Sequence, residues 1–206
     1  MNETARMTAE KHRDYTGSKI GMWLFLSTEV FLFVGPFLLY AVYRYRYPTD
    51  FHNAAAGLNL VLGILNTVIL LTSSLTMALS IASVKKGNKK LSMLFLMLTI
   101  LFGIVFLANK YVEWGAKIEH GIYPNSAALL KHSNGEIIFY GLYFFATGLH
   151  GLHILAGVIL LSVMAVLIAK GKIDPSDFIK LENSGLYWHL VDIVWIYLFP
   201  LFYLIR

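Results

Sequence analysis

The chain has 206 residues, of which 57% are hydrophobic and only 14% are charged, and this excludes a soluble domain, where the charged share is about 25%. The formal net charge of +5 comes from basic residues that lie between long apolar runs, so it indicates membrane topology rather than nucleic-acid binding. The absence of cysteine excludes disulfides, thiolate metal ligands and thiol nucleophiles.

Five apolar runs are long enough to cross a bilayer as helices, and they predict an all-α, polytopic membrane helix bundle. We expect a tail at residues 1–19, which lacks a cleavable-signal pattern, and then transmembrane helices at about residues 20–42, 58–84, 91–109, 137–169 and 187–205. No repeat or soluble domain is visible, so residues 1–206 are expected to form one membrane domain.

Lysine and arginine are unevenly distributed between the two sides of this bundle. The tail and the segments after the second and fourth helices carry more of them than the segments on the other side. This excess predicts a cytoplasmic N-terminus and a C-terminus outside. The longest connection, residues 110–136, is expected to be ordered against the bundle or a partner.

Polar residues inside the apolar runs are the candidate functional residues, because a polar group in a membrane is costly and normally faces protein or water. Glu29 interrupts the first helix, and His150 and His153 share a face of the fourth. At a rise of about 1.5 Å per residue, Glu29 and His153 lie at nearly the same depth. We therefore predict a buried Glu29–His153 contact.

The fifth helix carries His189 and Asp192 three residues apart, and we expect these side chains to pair with each other. Trp188 and Trp195 share the face of Asp192 and are expected to pack between helices. Glu113 is expected at the outer membrane interface. Other small and polar residues at helical spacing are typical of helix–helix packing; they are Asn59, Gly63, Asn66 and Ser73 on the second helix and Thr147 and Gly151 on the fourth.

The residues alone leave several chemical interpretations open. A b-type heme needs axial histidines at matching depths on different helices, and His189 lies about 10 Å deeper than His153. A catalytic metal site needs three or four converging ligands, which this spacing does not favour. Glu29 is a candidate proton-relay carboxylate, and the alternative is a structural or lipid-contacting polar cluster. We therefore predict no catalytic, cofactor or metal site in this chain.

Several motifs resemble subunit III of the heme-copper terminal oxidases. Residues 21–29, GMWLFLSTE, are similar to a helix of that family with a membrane-embedded glutamate. Residues 147–153, TGLHGLH, resemble its TG-x-HG-x-H signature, and residues 187–195, YWHLVDIVW, resemble its YWH-x-VD-x-VW helix. Residues 111–114, YVEW, which include Glu113, are similar to the end of its third helix.

The resemblance implies the five-helix form of this family and an accessory, non-catalytic subunit of a cytochrome c oxidase. Subunit I would hold the hemes and copper where oxygen is reduced to water, and subunit II would receive electrons from cytochrome c. Subunit III would stabilise subunit I, support proton uptake and bind phospholipid near Glu29, His150 and His153. The expected partners are subunits I and II and membrane lipids, without nucleic acid, in a bacterial plasma membrane.

Alternative interpretations make different predictions. Subunit III of a quinol oxidase, or a related partner of a nitric oxide reductase, would carry the same motifs. A proton-coupled transporter that uses Glu29 would predict discontinuous helices or inverted repeats. A membrane cytochrome b would predict histidines at one depth on two helices.

Overall fold

The computed structural model describes residues 15–205, and five long helices form a bundle within them. The helices in chain order are α1 (Tyr15–Arg46), α2 (Pro48–Ala56), α3 (Leu60–Lys85), α4 (Lys89–Glu119), α5 (Asn134–Ala169) and α6 (Ile179–Phe199). A 3-10 turn at Leu129–Lys131 precedes α5, and a π-helical turn at Pro200–Leu204 follows α6. All helices except the short α2 are long and apolar enough to cross a membrane, which confirms the predicted five-helix, all-α architecture.

The helices extend beyond the predicted bounds where polar residues continue the helix past the apolar run. α1 begins at Tyr15 rather than at residue 20, α4 continues to Glu119 rather than to residue 109, and α6 begins at Ile179 rather than at residue 187. Hydropathy marks the part of a helix that lies in hydrocarbon, whereas the helical hydrogen bonds continue into the interface. Residues 1–14 of the predicted tail lie outside the described residues.

Glycines in the left-handed conformation end three of the membrane-spanning helices. Gly87, Gly121 and Gly171 lie two residues after the last residue of α3, α4 and α5, with φ of 75°, 71° and 68°. In each case the N–H groups of the glycine and of the next residue donate to carbonyls of the last helical turn. This pattern is a Schellman motif, which needs a positive φ that glycine adopts without steric cost. These glycines therefore fix where the chain turns back into the bundle.

α6 is the most enclosed membrane helix. Half of the residues in its apolar window are buried, against 17% for α1. The fully buried Trp188 ring lies where α4 and α5 carry Gly103 and Gly157. A Cβ atom added at Gly103 or Gly157 would approach that ring to 2.7 or 2.8 Å, so only glycine leaves room for the indole. The small residues thus let α6 pack close to its neighbours.

We expect Gly157→Ala to lower the free energy of unfolding by about 1–3 kcal/mol, because the added methyl group forces the Trp188 ring out of a filled core. Gly21→Ala is the matched control, since a Cβ atom there meets nothing within 4 Å. Thermal unfolding of both variants in lipid nanodiscs measures the difference. Equal midpoints for the two variants would show that the bundle absorbs the methyl group without strain.

Candidate functional site

The predicted contact between Glu29 and His153 is present. Glu29 Oε2 on α1 lies 2.8 Å from His153 Nε2 on α5, and the two side chains are 18% and 14% exposed. The other ring nitrogen, Nδ1, lies 2.7 Å from the carbonyl oxygen of Leu149, which can only accept, so Nδ1 carries a proton. Nε2 therefore either accepts a hydrogen bond from a protonated Glu29 carboxyl group or, in the imidazolium form, donates one to a Glu29 carboxylate.

His150 does not join this pair. Its side chain is completely buried, and its ring centroid lies 5.3 Å from that of Phe106 on α4 and 5.2 Å from that of Trp195 on α6. Residues three apart in a helix point about 60° away from each other around its axis. That rotation directs His153 towards α1 and His150 into the core, so no hydrogen bond joins His150 to the Glu29–His153 pair.

His189 and Asp192 do not form the predicted direct pair. His189 Nδ1 lies 2.7 Å from the hydroxyl oxygen of Ser74 on α3. Neither carboxyl oxygen of the buried Asp192 forms a hydrogen bond with another described residue. The correction is that α3, and not Asp192, supplies the partner of His189.

The two tryptophans of α6 pack between helices as predicted. Trp188 Nε1 donates to Ser73 Oγ at 3.0 Å, and Trp195 Nε1 donates to Thr67 Oγ1 at 3.0 Å. Of the predicted packing stripe on α3, three residues are buried, whereas Asn59 is exposed and its side chain caps the helix; the buried ones are Gly63, Asn66 and Ser73. On α5, the buried Thr147 hydroxyl donates to a carbonyl oxygen of its own helix, that of Tyr143, at 2.6 Å.

A buried cluster of four polar side chains was not predicted from the sequence. It is centred on the part of α4 that follows residue 109. Lys110 Nζ donates to Glu113 Oε2 at 2.9 Å and to the hydroxyl oxygens of Tyr143 and Tyr203 at 3.0 Å each. The two tyrosine hydroxyls donate to Glu113 Oε1 at 2.9 and 2.6 Å. All three ammonium protons and both carboxylate oxygens therefore have partners.

Lys110 and Glu113 are 6% and 4% exposed, so both side chains lie inside the bundle. That Glu113 lies at the depth of the outer membrane interface stays a prediction. The signal that could have revealed the pair is its spacing, because opposite charges three residues apart share one helix face. The prediction ended the helix at residue 109, since a hydropathy window stops at the first charge.

The cluster joins the C-terminal π-helical turn to the rest of the bundle. Tyr203 lies in that turn, Lys110 and Glu113 lie on α4, and Tyr143 lies on α5. α1 holds the same turn from the other side, since Arg44 Nη1 donates to the Ile205 carbonyl at 3.0 Å and the Tyr40 hydroxyl donates to the Leu201 carbonyl. Hydrogen bonds from three helices thus fix the position of the C-terminal turn.

Among residues 15–205, no group of three or more histidine, aspartate or glutamate side chains is arranged to hold a metal ion. Two groups of protonatable side chains are instead joined by hydrogen bonds between carboxyl and basic groups. One is the Glu29–His153 pair at the surface of the bundle, and the other is the enclosed Lys110–Glu113 cluster.

Comparison with known proteins gives a consistent set of relatives. The sequence model of the family described as cytochrome c oxidase subunit III matches residues 2–205. The chain is 35% identical to cytochrome c oxidase subunit 3 of Lycodon semicarinatus over 88% of this chain and 67% of that protein. It is 30% identical to cytochrome c oxidase subunit 3 of Corynebacterium diphtheriae over 91% of this chain and 87% of that protein. It is 31% identical to cytochrome bo(3) ubiquinol oxidase subunit 3 of Pseudomonas putida over 90% of this chain and 84% of that protein.

Proposed function

Because the chain belongs to the cytochrome c oxidase subunit III family, we propose that it is the accessory, non-catalytic subunit III of a respiratory cytochrome c oxidase. The observation that carries this proposal is the family match over residues 2–205, which includes all five membrane-spanning helices of this integral membrane protein. In the proposed complex, subunit I holds the hemes and the copper where oxygen is reduced, and subunit II receives the electrons. This chain stabilises subunit I and supports proton uptake during the reduction of oxygen to water.

A second candidate function is subunit III of a quinol oxidase, and the similarity to the Pseudomonas putida ubiquinol oxidase subunit favours it. In both cases the electron donor binds to other subunits, so the two functions differ in the complex and not in the role of this chain.

We place the N-terminus in the cytoplasm of a bacterium. Lys19 and Lys85 both pair with Glu182, at 3.1 and 3.2 Å, so the start of α1, the end of α3 and the start of α6 lie at one end of the bundle. Further lysines at residues 86, 89 and 90 follow α3, and a lysine-rich end is typical of the cytoplasmic side. The relatives from Corynebacterium diphtheriae and Pseudomonas putida support the bacterial assignment.

We assign phospholipid to an apolar groove of about 470 Å³ between α1, α5 and α6. Met22, Phe25 and Leu160 line it, and Lys180 lies in its wall near the lysine-rich end. The hydroxyl group of Tyr187, which also lines the groove, donates to the His153 carbonyl at 3.1 Å. An acyl chain in this groove and a headgroup near Lys180 match the chemistry of the lining, and the Tyr187 hydrogen bond links the groove to the backbone of His153.

The experiment that tests the function is purification of the tagged chain in mild detergent, followed by a reduced-minus-oxidised visible spectrum. We expect larger partner subunits and heme bands in the eluate, and we expect the bands to stay with the partners when this chain is stripped away. Oxygen consumption with reduced cytochrome c or with a quinol then identifies the donor. The matched control is the same purification with the untagged chain.

A colourless eluate that contains only this chain would contradict the proposal and favour the proton-coupled transporter. Heme that stays with the isolated chain would contradict it in a different way, because the chain would then be a cytochrome b.

A further inference from the structure

His150 is a buried polar side chain whose ring nitrogens have no hydrogen-bond partner among residues 15–205. The residue is 0% exposed, and neither Nδ1 nor Nε2 forms a hydrogen bond with another described residue. A neutral imidazole has one donor and one acceptor, and leaving both unpaired inside a membrane bundle costs the desolvation free energy of both groups. Such a group is normally satisfied by another molecule, most often water.

The polar side chains near His150 are already committed to other bonds. Lys110 uses its three ammonium protons on Glu113, Tyr143 and Tyr203. The hydroxyl proton of Thr147, one turn before His150, goes to a carbonyl oxygen of its own helix. The indole N–H of Trp195, whose ring contacts His150, goes to Thr67. No neighbouring donor among these can turn to His150 without breaking an existing hydrogen bond.

A groove of about 430 Å³ between α4 and α5 runs close to His150 along the chain. Leu107 and Lys110 line it from α4, and Thr147 and Gly151, three residues before and one residue after His150, line it from α5. A Cβ atom added at Gly151 would meet only a Leu107 methyl group, at 3.9 Å, so the groove has room beside this neighbour of His150.

We propose that His150 binds an ordered water molecule inside the bundle, and that this water satisfies the imidazole. Buried waters typically bridge buried polar groups that the protein leaves unpaired. The site lies beside the Lys110–Glu113 cluster, because the Trp195 ring contacts His150 and lies 5.5 Å from Lys110 Nζ. The second histidine of the TG-x-HG-x-H motif thus pairs with Glu29, whereas the first holds water in the core.

The proposal is tested with the full chain in the complex that its tag retrieves, by electron cryo-microscopy at a resolution that reveals water. We expect a density peak within hydrogen-bonding distance of a His150 ring nitrogen, and we expect it to disappear in His150→Leu. His52→Leu, which replaces an exposed histidine on α2, is the matched control and should leave the peak unchanged.

A map in which both ring nitrogens lack a peak would overturn the proposal. A peak that persists at the same position in His150→Leu would overturn it as well, because other groups would then hold the water. This readout is independent of the electron donor.

Discussion

Lys110→Met should lower the free energy of unfolding by about 3–5 kcal/mol, because removal of one partner of a buried ion pair leaves the other charge uncompensated. Glu113 is 4% exposed and accepts three hydrogen bonds, one of them from the ammonium group. Without Lys110, the carboxylate must be protonated or be stabilised by the hydroxyl groups of Tyr143 and Tyr203 alone. We therefore expect the variant to unfold at a lower temperature and to be lost more easily from its complex.

The double variant Lys110→Met/Glu113→Leu separates the value of the pair from the cost of breaking it. Replacing a buried ion pair by apolar side chains of similar volume is often neutral or stabilising by about 1–4 kcal/mol, so we expect the double variant to recover most of the lost stability. Lys90→Met is the matched control, since Lys90 is exposed in the first turn of α4. The unfolding midpoint of each variant in nanodiscs is the measurement. A double variant as unstable as the single one would show that the tyrosines, and not the charge balance, hold the cluster together.

The Lys110–Glu113 cluster shows where sequence reasoning stopped and why. Hydropathy identified five membrane helices because a bilayer requires every backbone polar group to be paired within a helix. The same method ended the third apolar run at Lys110, since it treats a charge as the end of a membrane segment. The partners of Lys110 could not be derived, because Tyr203 reaches it from a π-helical turn that no simple periodicity indicates.

Depth along a helix was predictable, but direction around the axis was only partly so. Glu29 and His153 meet because a fixed rise per residue converts sequence position into depth. The same calculation does not say which neighbour each face meets, so it could not show that His150 packs against Phe106 and Trp195. The Ser74 hydroxyl as partner of His189 could not be predicted either, because α3 carries several serine and threonine residues at similar depths.

The Lys110–Glu113 cluster and the Glu29–His153 pair differ in their exposure and therefore in their expected roles. The Lys110–Glu113 cluster is enclosed, fully hydrogen-bonded and tied to the C-terminal turn, so a change there should act on stability. The Glu29–His153 pair lies on α1, the least buried membrane helix, and Tyr187, which lines the groove to which we assign phospholipid, donates to the His153 carbonyl. A change in this pair is therefore expected to act on contacts with lipid and partner subunits as well.

Glu29→Gln should leave stability and assembly close to those of the unchanged protein, whereas His153→Leu should cost about 1–3 kcal/mol. In the neutral imidazole, Nδ1 donates to the Leu149 carbonyl and Nε2 accepts, so a glutamine amide can donate to Nε2 in the geometry of the present 2.8 Å contact. A leucine at position 153 has neither a hydrogen-bond donor nor an acceptor. It therefore leaves the Glu29 carboxyl group without its partner at a membrane-facing position.

The measurement is the stoichiometry of this chain in complexes washed with detergent, together with the unfolding midpoint and the rate of oxygen reduction. Glu29→Leu is the matched control for size, and it should resemble His153→Leu because both variants leave one polar group unpaired. Full stoichiometry of His153→Leu after washing would mean that the Glu29–His153 bond contributes little to assembly. Loss of oxygen reduction in Glu29→Gln complexes that assemble normally would assign the carboxyl proton to turnover, because an amide preserves the hydrogen bond but cannot release that proton.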